Sequence, residues 1–111
     1  VSDADELAAA LAALGVEYRA NLAPRLDALE ALAAALAGGQ GDAEDLRTLR
    51  RGLHTIAGSA KTFGLPAVTD AARAGEAFLD PWRDTVKPQG AAEWAELDRL
   101  LAALRAAAQS A

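Results

Sequence analysis

The sequence predicts an all-α protein built as an up-and-down helical bundle, and three observations carry that prediction. Of its 111 residues 52% are hydrophobic but only 5% are aromatic, so the apolar share comes mostly from Ala and Leu, both strong helix formers. Apolar residues recur at alternating spacings of three and four, and no segment alternates with period two over a useful length. Short breaks marked by Gly or Pro separate these stretches, which favours antiparallel neighbours. The length suits one domain, residues 1–111, with a single modest core.

Each element has its own signals. Ser2 followed three residues on by Asp5 resembles a capping box and precedes Leu7, Leu11 and Leu14. A second apolar series runs from Val16 through Leu22, Leu26, Leu29, Leu32 or Ala33, and Leu36, and stops at Gly38 and Gly39. Pro24 lies inside it. Because the apolar spacing holds across the proline, a kinked continuous helix is the preferred reading over a helix start at that point. The bundle therefore has a four-helix core, to which the segment around Leu7 could add an extra N-terminal helix.

Asp42 and Asp45 open the next helix, whose stripe at Leu46, Leu49, Leu53, Ile56, Ala60 and Phe63 is the clearest periodicity in the chain. Gly64 suits a left-handed cap at its end, and Pro66 suits the first turn of a shorter helix carrying Val68, Ala71, Ala72, Gly75, Phe78 and Leu79. Residues 80–90, with Pro81, Pro88 and Gly90, read as the one long loop, and Trp82 is expected to fold back over a bundle end. A last helix carries Trp94, Leu97, Leu101, Leu104 and Ala108.

Composition narrows the function. The chain has no cysteine, which removes disulfides, thiolate metal sites and cysteine nucleophiles. A formal net charge of -5 argues against nucleic acid or anionic lipid as a partner. No apolar run approaches the roughly 18 residues of a membrane span, and the first residues carry neither a basic start nor a signal core. A cytoplasmic location and a monomeric state are the expectations. The sequence opens at Val1, without an initiating methionine, as a domain of a longer protein would. The carboxylates of Glu93, Glu96 and Asp98, or of Asp42, Glu44 and Asp45, have no nearby histidine and read as helix-start charge rather than a metal site. No cofactor and no metal are expected.

His54 is the only histidine. At roughly 100° per residue it falls more than a quarter-turn from the apolar stripe of its helix and should face solvent. Arg47 and Arg50 precede it on the same face, Gly58 and Lys61 follow it, and Arg51 lies beside it. Gly58 in a helix interior costs about 1 kcal/mol relative to alanine. Steric access to the imidazole is one reason to keep a glycine there, and close packing of another helix is the other. An exposed histidine or a basic helix face taken alone is most often a solvated surface. Their conjunction with a cleared approach is what a phosphoryl acceptor needs.

The run His54, Thr55, Ile56, Ala57, Gly58, Ser59, Ala60, Lys61, Thr62, Phe63, Gly64 resembles the signature of histidine phosphotransfer (HPt) domains. The stretch from Leu65 to Glu76 is similar in kind to the family's following helix. The resemblance implies a four-helix bundle in which His54 carries a phosphoryl group between aspartates of receiver domains of response regulators or hybrid histidine kinases, in two-component signalling. It implies a phosphocarrier without independent turnover. One position departs from the pattern: the family commonly has lysine three residues after the histidine, and here that residue is Ala57. Lys61 and Arg50 are the candidates to steady the phosphoryl oxygens in its place, and Gly58 is the access position. The phosphoacceptor domain of a chemotaxis-type kinase is an alternative within the same chemistry, and a non-catalytic helical interaction module with an incidental histidine is the alternative outside it.

Overall fold

The computed structural model describes residues 2–82 and 90–111. Among these residues four helices are found, α1 (Asp3–Ala37), α2 (Ala43–Thr62), α3 (Pro66–Leu79) and α4 (Ala91–Gln109), and no strand. They form an up-and-down bundle. The core is a leucine layer drawn from all four helices, with Leu49, Leu53, Leu79, Leu97 and Leu104 fully buried.

No separate N-terminal helix exists. α1 runs unbroken for 35 residues and passes through Pro24, which removes a single backbone donor that the packing of Leu22, Leu26 and Leu29 on either side of it outweighs. At about 1.5 Å per residue α1 is roughly 52 Å long and overshoots the 20-residue α2 by roughly 20 Å. The overshoot is its N-terminal end. Leu7, Leu11, Leu14 and Val16 are 50–61% exposed there, so the apolar spacing that marks residues 3–14 as helix does not bring them into the core. Ser2 Oγ accepts from the Asp5 N–H at 3.1 Å, one half of the predicted capping box.

α2 begins with the complete box. Asp42 and Asp45 each accept the other's backbone N–H at 3.0 Å, and this accounts for two of the carboxylates that a metal reading would have needed. Its apolar stripe faces inward as its spacing requires, with Leu46, Leu49, Leu53, Ile56 and Ala60 buried and Phe63 half-buried. The helix ends in a Schellman turn: Leu65 N–H donates to Ala60 O at 2.9 Å and Gly64 N–H to Lys61 O at 3.1 Å, with Gly64 at φ 70°. Pro66 then starts α3. Trp82 packs edge-on between Phe78 and Trp94, with ring centroids 5.3 and 5.1 Å away, so it covers the bundle end as expected. The rest of the 80–90 connection, residues 83–89, lies outside the described residues.

Two cross-links set the register of α1. The Tyr18 hydroxyl meets Ser59 Oγ at 2.6 Å while its ring stacks on Phe63 at 4.6 Å, and Arg105 of α4 reaches Glu30 at 2.7 Å and Asp27 at 2.6 Å. Ser59 in turn donates to Thr55 O at 2.8 Å. A serine within the histidine-containing motif thus has a packing task.

Because Leu53 is fully buried, Leu53→Ala should lower the unfolding free energy by about 2–5 kcal/mol. Leu11→Ala, on the overshooting arm, should change it by less than about 0.5 kcal/mol. Urea denaturation of both variants checks the contrast.

Candidate functional site

The site forms beside a tight contact between α2 and α3. Gly75 of α3 lies over Leu53 of α2, where an added Cβ would stand 3.1 Å from Leu53 Cδ1. One residue further on in each helix, His54 Nδ1 lies 2.7 Å from Glu76 Oε2. The core contact and the surface hydrogen bond are therefore consecutive steps of one helix pairing.

His54 is exposed, with 75% of its side chain accessible, whereas the Glu76 side chain is only 24% accessible. The carboxylate accepts from Nδ1–H and orients the ring, which leaves Nε2 as the outward nitrogen and the one able to carry the reactive lone pair. Glu76 has no role in the sequence reading, since its partner is on another helix. A signal was present nonetheless: on α3 it falls four residues after Ala72 and three before Leu79, both buried, and a charged residue on the edge of an apolar stripe calls for a partner.

The imidazole stands in an open cleft of about 550 Å³ lined by Arg47, Arg50, Arg51, His54, Glu76 and Asp80. Three guanidinium groups on α2 thus share the histidine's cleft, and Arg50 is one of them. Lys61 is not. Seven residues along the helix, about 10 Å from His54 at 1.5 Å per residue, it lines a neighbouring cleft with Thr69 and Arg73 of α3. The two cations that the sequence offers as phosphate-stabilising residues are therefore in separate places.

Gly58 is exposed, and a Cβ built on it meets no atom within 4 Å. No helix packs against it, so the close-packing account of this glycine fails and the position is an open shelf one turn beyond the imidazole. Ala57, which stands where the family pattern places lysine, is 4% exposed. It lies on the core side of α2, so a lysine here would have to run its stem out of the core. Among the described residues no group of three His, Asp or Glu side chains is placed to hold a metal ion, and no helix is long and apolar enough to cross a membrane.

This geometry is that of a helical bundle displaying one oriented histidine, and the family model of the Hpt domain matches residues 3–109. The chain belongs to the Hpt domain family, whose members serve histidine phosphotransfer in phosphorelays and interact with receiver domains. No curated protein and no solved structure matches the chain.

Two substitutions test the site without any partner. Gly58→Ala should raise stability by about 0.5–1 kcal/mol, since helix propensity improves and nothing is displaced, whereas Gly64→Ala should lower it by about 1 kcal/mol because its φ is left-handed. Thermal unfolding distinguishes them. Glu76→Ala should remove the preference for the Nδ1–H tautomer, visible as converging imidazole ¹⁵N shifts, while Glu76→Gln should retain it through the amide oxygen.

Proposed function

We propose that His54 relays a phosphoryl group between aspartates of receiver domains in two-component signalling. The observation that carries the reading is the combination of an outward Nε2, held there by the Glu76 contact to Nδ1, with an unobstructed approach over Gly58. In the forward step Nε2 attacks the phosphorus of an aspartyl phosphate in line. The P–N bond forms as the bond from phosphorus to the aspartate oxygen breaks, and the carboxylate departs with the electron pair. The ring becomes a phosphorylated imidazolium whose Nδ1–H still donates to Glu76, so the carboxylate offsets the positive charge that develops. The second step reverses these changes on another receiver.

Such transfers pass through a loose transition state in which positioning and charge neutralisation matter most. Arg50, in the same cleft as the imidazole, is the cation placed to meet the phosphoryl oxygens. Lys61, which lines the neighbouring cleft, is assigned no contact with the transferred group. Gly58 admits the partner's backbone or side chains to the ring. The nucleophile, its orientation and the nearby cations are this domain's share of the chemistry.

Incubation with radiolabelled phosphorylated receivers should label the wild-type domain and leave His54→Gln unlabelled, with the variant's melting curve little changed. The label should be lost in acid and survive alkali, as a phosphoramidate does and an acyl phosphate does not. Labelling of His54→Gln would refute the assignment. Gly58→Leu should slow transfer at least tenfold while the fold persists, an order-of-magnitude expectation for blocked near-attack geometry.

A further inference from the structure

We infer that Lys61 and Arg73 form a docking point for an acidic side chain of the partner domain, separate from the place where the phosphoryl group is transferred. The inference rests on the phosphotransfer reading and assigns Lys61 a binding role rather than a chemical one.

The cleft concerned holds about 240 Å³ and lies where α2 ends and α3 begins. Lys61 reaches it from the last turn of α2 and Arg73 from the second turn of α3, and both are exposed. Three cations are matched within the chain, Arg47 with Glu44, Arg99 with Glu96, and Arg105 with Asp27 and Glu30, whereas Arg19, Arg25, Arg50 and Arg51 have no ion pair among the described residues. Lys61 and Arg73 have no ion-pair partner among the described residues, although the chain holds 16 carboxylate side chains against 11 cations. Asp70 also lines the cleft, yet it pairs with neither and leaves the cations in excess.

Two further features of the cleft want a hydrogen-bonding ligand. No side chain caps the N-terminus of α3, and no acidic residue occupies its first turn, so the positive end of that helix is unanswered. Independently, Thr69, 4% exposed and part of the cleft lining, has an Oγ1 with no hydrogen-bond partner. A threonine hydroxyl in a helix ordinarily bonds the carbonyl four residues back, and this one does not. A carboxylate seated between Lys61 and Arg73 would meet two cations and the helix end, beside the unpartnered threonine.

Position identifies the source of that carboxylate as a docked protein. Thr69, Arg73 and Glu76 follow one another along the face of α3 that borders α2, and His54, Gly58 and Lys61 do the same along α2. The groove so bounded begins at the imidazole, crosses the open shelf at Gly58 and ends at the cation pair about 10 Å away. A group held there is too distant to be the one transferred. A partner domain placed to deliver a phosphoryl group to Nε2 must cover this length, and charge at the rim of its footprint governs encounter and orientation.

Transfer kinetics with a receiver that labels the wild-type domain provide the test. Lys61→Ala and Arg73→Ala should each raise KM by about threefold and together by about tenfold, as rim charges do, with kcat within twofold of wild type and a flatter salt dependence. Arg50→Ala should instead lower kcat. A fall in kcat at unchanged KM for Lys61→Ala would place Lys61 at the phosphoryl group and overturn the inference, as would unchanged kinetics in the double variant. Absence of wild-type labelling by any receiver would speak against the phosphotransfer reading, and a second measurement then decides the cleft alone. In ¹⁵N-labelled domain titrated with the peptide acetyl-Gly-Asp-Glu-Gly-amide, saturable shifts should appear at Lys61, Thr69 and Arg73. They should vanish in the double variant and with the Asn-Gln form of the peptide. Equal shifts with both peptides would reject a carboxylate site.

Discussion

The close approach of α3 to α2 at Gly75 is the constraint on which the site depends. With no side chain at residue 75, the α3 backbone descends onto Leu53, and a methyl group there would have to displace the leucine by a few tenths of an ångström. His54 and Glu76 are the residues that follow in each helix, so the same spacing that closes the core sets the 2.7 Å hydrogen bond above it. The Schellman turn at Gly64 fixes how soon α3 can return along α2, and thereby which residues face each other. Core packing, helix termination and imidazole orientation are one mechanical unit. Strain introduced at any of the three would be felt at Nδ1.

Charge is handled differently on α4 and along the α2–α3 contact. On α4 the arginines are tied to carboxylates: Arg105 bridges α4 to α1, and Arg99 bonds Glu96 one turn away. Exposed pairs of this kind contribute little to stability, but they leave no residual field. Along the α2–α3 groove Arg50, Arg51, Lys61 and Arg73 lack such partners among the described residues. An acidic chain with a net charge of -5 therefore presents a locally positive stripe around its only imidazole. Such a field attracts an anionic group from solution and repels nothing it needs.

How much of this was legible in the sequence follows from the range over which each signal acts. The α2 stripe, its capping box, the Gly64 turn and the outward face of His54 are properties of one helix and its ends, and local spacing reveals them. Glu76 is different, because its importance exists only once α3 has folded back. The overshoot of α1 shows the converse error: Leu7, Leu11 and Leu14 keep a perfect helical spacing, yet periodicity reports an apolar face and not whether another helix reaches it. Residues 63–66 turn back too early for α2 or α3 to do so. At Pro24 the same periodicity is a sound guide, and the helix continues through it, since a single lost donor counts for less than the leucines that continue on both sides.

Ala57 shows how a motif position can change meaning once its surroundings are known. From the sequence, its substitution for lysine looks like a cation lost from the phosphoryl site, to be made good elsewhere on the same face. In the folded domain that residue is buried, four residues after Leu53 and three before Ala60 on the stripe of α2 that faces the core. A lysine there would have to carry its stem out of the core before its ammonium could reach the histidine. Alanine needs no such route, and the positive charge near the imidazole comes from Arg47, Arg50 and Arg51, already in the cleft. A guanidinium differs from an ammonium in offering a planar fork that can meet two phosphoryl oxygens at once. On the proposed reading, the departure from the family pattern therefore exchanges a point charge rooted in the core for a planar donor rooted in the wall of the histidine's own cleft.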